Sequence, residues 1–214
     1  MSIPAAGRIG ELLEGCPVMA ILRGYSPERT VELASRAWDL GITLVEVPVQ
    51  DPSAVSALAA TVAAGRGRDA VVGAGTVTTL TRLRAARDAG AEFLVSPGVD
   101  EEVIRASLAM DLPYLPGVAT PTDIQSCLRL GLTWLKAFPA TLLGTEWFGA
   151  MRGPFPEVSF VATGGISAAN AQSFLDAGAA TVAVGSALES EDQLSALAAI
   201  VGQRLTGGGP LPAK

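Results

Sequence analysis

Eight short apolar runs, none alternating with polar residues, punctuate the chain at residues 17–22, 43–47, 71–74, 92–95, 114–115, 133–137, 159–162 and 181–184. A strand apolar on both faces must be covered on both faces, as in a parallel sheet wrapped by helices. Segments of helical length separate the runs. A first helix is expected around residues 7–14. Ser26-Pro27-Glu28-Arg29 announces the next, serine as cap and proline at the first helical position, running to about Leu40. Eight such units in about 200 residues predict an α/β fold, a single-domain (β/α)8 TIM barrel.

A weak internal repeat fixes the register of these units. Trp38-Asp39-Leu40-Gly41-Ile42, Arg87-Asp88-Ala89-Gly90-Ala91, Leu128-Arg129-Leu130-Gly131-Leu132 and Leu175-Asp176-Ala177-Gly178-Ala179 share one pattern. Each reads as a helix end, a glycine able to take the left-handed C-cap, then a strand. The glycines recur roughly every forty to fifty residues, which is two βα units. They therefore lead into strands two, four, six and eight. The residue five places after each glycine is Glu46, Val95, Lys136 or Ala183. Alternate strands of a barrel share one interior layer, so an inward Lys136 faces an inward Glu46 from the opposite strand.

Two charges in one apolar layer are costly unless they serve each other or a ligand. Lysine is among the residues least often buried alone. Desolvation penalises the charged form of an amine, and a neutral amine is a nucleophile able to form a Schiff base with a ketone. The only other lysine is Lys214, in a Gly/Pro-rich tail. Two readings stand: a structural salt bridge, or a nucleophilic amine with a carboxylate that shuttles its protons.

Composition removes other chemistries. The chain has 214 residues, 49% hydrophobic and 17% charged, which suits one domain over residues 1–205 followed by a flexible tail at 206–214. The net charge of −6, without a basic run, argues against a nucleic-acid partner. Cys16 and Cys127 are too few for a metal cage or disulfide framework and fit reduced thiols of a cytoplasmic protein. No apolar run reaches membrane-spanning length, and the N-terminus does not read as a signal peptide. Histidine is absent, which eliminates Ser-His and Cys-His pairs and every His-ligated metal site. Acid–base work falls to carboxylates, lysine, tyrosine or water, with no cofactor and no metal implied.

Glycines and hydroxyls gather where the strands end. Gly73-Ala74-Gly75-Thr76 follows strand three, Ser96-Pro97-Gly98 strand four, and Pro116-Gly117-Val118-Ala119-Thr120-Pro121 strand five. Thr163-Gly164-Gly165-Ile166-Ser167 and Gly185-Ser186 follow strands seven and eight, where barrels of this kind carry a phosphate cup.

Taken with Pro17-Val18-Met19-Ala20-Ile21-Leu22-Arg23-Gly24, Val45-Glu46-Val47 and Leu135-Lys136-Ala137-Phe138-Pro139-Ala140, these motifs resemble the 2-keto-3-deoxy-6-phosphogluconate aldolase family, also called the 4-hydroxy-2-oxoglutarate aldolase family, over nearly the whole chain. The resemblance implies a metal-independent class I aldolase, a homotrimer acting on pyruvate and a phosphorylated keto acid. It assigns Lys136 as the Schiff-base lysine and Glu46 as the acid–base residue. It sets Thr76, Pro97 and Thr163 around the pyruvate carboxylate, and Phe138 in the pocket wall. Gly164, Gly165, Gly185 and Ser186 fall at the phosphate loops. Many members carry arginine where this chain has Gln50. The run Val47-Pro48-Val49-Gln50 and Arg23 are closer to the 2-keto-3-deoxy-6-phosphogalactonate branch. An isomerase or epimerase on the same barrel, and a non-catalytic phosphometabolite-binding barrel, are the alternatives.

Because no histidine and no cysteine pair is available to hold an ion, turnover is expected to survive exhaustive chelation. Loss of activity in EDTA, restored by a divalent cation, would contradict this.

Overall fold

The computed structural model describes residues 5–206; the side chains at 186–187 and from 203 onward are not described. Nine parallel strands alternate with helices: β1 (Val18–Ile21), β2 (Leu44–Pro48), β3 (Val71–Gly75), β4 (Leu94–Val95), β5 (Tyr114–Leu115), β6 (Gly117–Val118), β7 (Trp134–Ala137), β8 (Ser159–Thr163) and β9 (Thr181–Val184). Their order is β5-β4-β3-β2-β1-β9-β8-β7-β6. The expected fifth strand is thus split at Pro116. Its first half pairs with β4 and its second half with β7, so the segment itself closes the ring. Proline has no amide to donate, but its carbonyl still accepts from Lys136 N at 2.9 Å. The fold is the single-domain TIM-type barrel expected from the sequence. β2 and β7 stand four neighbours apart in the ring, on opposite walls.

Helices α1 (Ala5–Leu13), α2 (Pro27–Asp39), α3 (Pro52–Gly65), α4 (Leu80–Asp88), α5 (Glu101–Ala109), α6 (Pro121–Arg129), α7 (Ala140–Leu143), α8 (Thr145–Arg152), α9 (Ala168–Asp176) and α10 (Glu191–Thr206) complete the chain. α2 starts as expected, with Ser26 accepting from Arg29 N and Pro27 in its first turn. α10 includes Thr206, and the rest of the expected tail, with Lys214, lies outside the described residues.

All four repeat glycines take positive φ: Gly41 83°, Gly90 90°, Gly131 78° and Gly178 104°. Each closes a double C-cap. In the first, Gly41 N donates to Trp38 O and Ile42 N to Ala37 O, both at 2.9 Å, and the other three repeat that pattern. A fifth cap of the same kind ends α5, with Asp111 at φ 57° in the glycine position. Aspartate tolerates this conformation better than most side chains, so the motif is present without its glycine signature.

Two cores result. Outward strand residues such as Val45, Val47, Leu135 and Ala137 pack under the helices. Met19, Ile21, Leu44, Phe93, Val95, Leu115, Val161 and Ala183 fill the barrel. α1 closes the end from which the strands start, sending Ile9 and Leu13 into that inner cluster. Arg8 pairs with Asp111 at 2.7 Å across this plug. Both side chains are well exposed, so the pair contributes about 0–1 kcal/mol, against about 1.5–3 kcal/mol for each buried Ile9 or Leu13. Apolar burial holds the plug.

Inside, Phe93 occupies the space a side chain on Gly73 would fill. Gly73→Ala is therefore expected to destabilise the fold by about 1–3 kcal/mol, read as a fall in Tm of about 2–4 °C per kcal/mol. Pairing it with Phe93→Leu should recover part of the loss. An unchanged Tm in the single variant would refute this packing account.

Candidate active site

Strand alternation sends Lys136 inward. Its neighbours Leu135 and Ala137 join the outer core, whereas Lys136 is 4% exposed, between Gly117 of β6 and Val161 of β8. Its Nζ lies 5.1 Å from the centroid of the Phe138 ring. Opposite, Glu46 is fully buried on β2, paired in register with Ile21 and Gly73. The inward pair expected from the repeat is present, but the structural salt bridge is not. Neither Glu46 oxygen has a hydrogen-bond partner, and among the described residues Lys136 forms no ion pair.

Four buried side-chain polar atoms lack partners among the described residues. One is the indole nitrogen of Trp38, in the outer layer; the other three are both oxygens of Glu46 and Oγ1 of Thr163. An unsatisfied buried polar group costs about 1–3 kcal/mol, and more when charged. Three such atoms, set on inward strand positions at one end of a barrel, mark a place prepared for a polar ligand.

A cleft of about 720 Å³ opens at that end, where the strands terminate, and Lys136 is in its lining. Thr76, Pro97 and Phe138 line it with Lys136. Thr163 lines it from the end of β8, Gly164 and Gly165 from the loop that follows, Arg23 from the loop after β1, and Gly185 from the loop after β9. Ser186 begins the short 3-10 helix (Ser186–Glu189), and its side chain lies outside the described residues. Ile166 and Ser167 of the glycine loop, the inward Ala183, and Ile21 and Tyr25, which carry no expected role, share the lining. Tyr25 was legible only by its place, two residues beyond Arg23 across the turn at Gly24 (φ 79°). Gln50 is exposed and lies outside the lining, as does the fully buried Glu46.

Local backbone explains how these groups are aimed. Thr76 sits at φ 59°, a genuine outlier for a β-branched residue. Such strain persists only where neighbours over-determine it. Here Tyr114 OH donates to Val77 O at 2.7 Å, and Arg82 donates to Thr78 Oγ1 at 2.6 Å and to Gln50 O at 3.2 Å. Burial pushes the Tyr114 phenol up to about 12, so it stays a donor at neutral pH. The glycines work chiefly by absence. A Cβ on Gly75 would collide with the Glu46 carboxylate, so this glycine makes room for the acid rather than cradling an anion. Gly164 and Gly165, at φ 100° and 76°, let the loop pass against Phe138 and Thr141.

The assembled groups are an unpaired amine, a partnerless carboxylate, threonine hydroxyls and one arginine at the rim. An amine adds to carbonyls, a free carboxylate moves protons, and an arginine receives a carboxylate or phosphate.

A family model described as "Aldolase: KDPG and KHG aldolase" matches residues 9–201. The 2-dehydro-3-deoxy-6-phosphogalactonate aldolase of Escherichia coli (strain K12) is 32% identical over 173 residues, covering 80% of this chain and 84% of that one. The 2-dehydro-3-deoxy-phosphogluconate aldolase of Treponema pallidum (strain Nichols) is 38% identical over 159 residues, covering 74% and 75%. The structure of KDPG aldolase from Legionella pneumophila, with pyruvate captured at low pH as a covalent carbinolamine intermediate, matches with a TM-score of 0.78 at 29% identity, covering 94% of this chain and 97% of that one.

Glu46→Gln keeps the volume and loses the proton transfer. It is expected to slow bond cleavage through Lys136 by about two to four orders of magnitude while an adduct with pyruvate still forms. Near-normal turnover in rapid-mixing kinetics would reduce Glu46 to a spectator.

Proposed function

The chain belongs to the KDPG and KHG aldolase family, and from that premise we propose that it is a class I aldolase cleaving a 2-keto-3-deoxy-6-phospho-sugar acid, of gluconate or galactonate configuration, to pyruvate and glyceraldehyde 3-phosphate. The shorter 4-hydroxy-2-oxoglutarate would give pyruvate and glyoxylate. One observation carries the reading: Lys136 lines the cleft without an ion pair, and the carboxylate opposite it is buried without a partner. An isomerase leaves that amine without a covalent role.

The chemistry follows from these groups. Lys136 Nζ adds to the C2 ketone, forming a carbinolamine, and loss of water assisted by Glu46 gives an iminium ion. The iminium withdraws electrons from C3. Glu46 takes the proton of the C4 hydroxyl, the C3–C4 bond breaks into the iminium, and the aldehyde leaves. Protonation of the enamine and hydrolysis return pyruvate and the free lysine. Thr76, Pro97 and Thr163 surround the pyruvyl carboxylate, Phe138 walls the reacting carbons, and Arg23 with Gly164, Gly165, Gly185 and Ser186 receives the phosphate. Arg23 takes the part of the arginine absent at position 50. The same reading makes the protein a cytoplasmic homotrimer. Its support is family membership and the free thiols of Cys16 and Cys127.

Borohydride reduction in the presence of pyruvate, followed by peptide mass mapping, tests the proposal. Inactivation is expected to track labelling of Lys136 and to leave Lys214 unlabelled. Complete inactivation with Lys136 unmodified would end the Schiff-base mechanism.

Arg23→Ala should raise KM for the phosphorylated substrate about ten- to a hundredfold, the loss of one charge-assisted contact. Gln50→Ala should change it little, and the galacto epimer should be cleaved at least as fast as the gluco epimer. A strong gluco preference with a silent Arg23→Ala would overturn this assignment of Arg23.

A further inference from the structure

β1 and β9 are hydrogen-bonded neighbours, with Ala20 in register with Val184, so the loops that follow them emerge side by side at the mouth of the cleft. The first carries Arg23 and Tyr25 into the lining, and the second carries Gly185. Beyond Gly185 the chain turns through the 3-10 helix, and at its last residue Glu189 accepts a hydrogen bond from Tyr25 OH. This bond spans 164 residues of sequence and ties one side of the mouth to the other.

Leu188 of the same 3-10 helix is fully buried in the outer core, so apolar packing anchors this segment, and the exposed Tyr25–Glu189 bond sets how it meets the loop after β1. Further out, Arg36 of α2 reaches Glu191 of α10 at 3.2 Å, an ion pair whose side chains are 31% and 88% exposed. Arg29, the neighbouring cation on α2, is taken by Glu32 at 2.6 Å. Burial, and after it the bond to Glu189, pushes the Tyr25 phenol up to about 12, so it remains a donor at neutral pH. Tyr25 lines the cleft while its hydroxyl reaches Glu189 beyond Gly185.

We propose that Tyr25 is a positioning residue for the phosphate end of the substrate: by bonding Glu189 it fixes the loop after β9 against the loop after β1, so that Gly185 and Arg23 meet one terminal anion together. The proposal rests on the aldolase reading above and adds a determinant of substrate class to it. Substrates ending in a phosphate depend on the latch; a substrate that stops short of this end does not.

Tyr25→Phe removes the hydroxyl and keeps the ring. It is expected to lower the ratio of kcat/KM for the phosphorylated substrate to that for 4-hydroxy-2-oxoglutarate about three- to tenfold, with the change in KM, the size of one lost hydrogen bond. Glu189→Ala should reproduce the fall from the other side, and the double variant should be no worse than either. Glu189→Gln, which keeps an oxygen acceptor, should restore most of it. An unchanged ratio in Tyr25→Phe, or equal losses on both substrates, overturns the proposal. Binding of inorganic phosphate, followed by calorimetry on the same variants, separates it from the aldolase reading. If the wild type cleaves neither substrate, that reading fails, and the latch stands only if Tyr25→Phe still weakens phosphate binding three- to tenfold. Equal phosphate affinity sinks it.

Discussion

An apolar barrel that holds a lysine and a glutamate on opposite walls, neither neutralised by the other, is the constraint from which the remaining structure follows. Removing such groups from water costs several kcal/mol for each, and a direct ion pair is the ordinary way to offset part of that. Here the offset comes from elsewhere: an outer core under the helices, and an inner one that α1 completes from below. The stability of the fold carries a site that is unfavourable by itself, and in the proposed reaction the substrate makes the contacts the protein leaves unmade.

The two ends of the barrel divide these tasks. At the end where strands begin, Ile9 and Leu13 join Met19, Leu44 and Phe93 in an apolar plug. At the end where strands finish, Glu46 and Thr163 wait without partners, Thr76 is held at positive φ, and loops from four or more strands meet. Parallel strands impose this polarity, because every loop that follows a strand emerges at the same end. A covalent aldol chemistry needs amine, acid, carboxylate clamp and phosphate clamp within one substrate length. In the proposed assignment Lys136 and Glu46 come from β7 and β2, and the clamps from the ends of the other strands and the loops that follow them.

Much of this was legible in the residues. The spacing from Gly41 to Glu46 and from Gly131 to Lys136 set both side chains in the barrel, because the caps fix where each strand starts and the pleat fixes which residues point in. Other features left no local trace. The cap at Asp111 has the hydrogen bonds of its relatives but not their glycine. Gly75 reads as a loop glycine, and only the Glu46 side chain of the neighbouring strand shows that it is a vacancy for a carboxylate. The division of the fifth strand at Pro116 depends on two partners far apart in sequence.

The sequence by itself determined the parallel barrel, its period, and the inward placement of Lys136 and Glu46. Apolar patterning, capping and pleating act over a few residues and repeat from unit to unit. Only the tertiary structure decided that these two groups stay unpaired, that α1 seals the floor, that Gln50 stands outside the cleft, and that Tyr25 bonds Glu189 across its mouth. Each of these is a distance between side chains on separate strands or loops. Such distances are set by the curvature of the closed sheet and the volumes packed within it, which no short stretch of sequence contains.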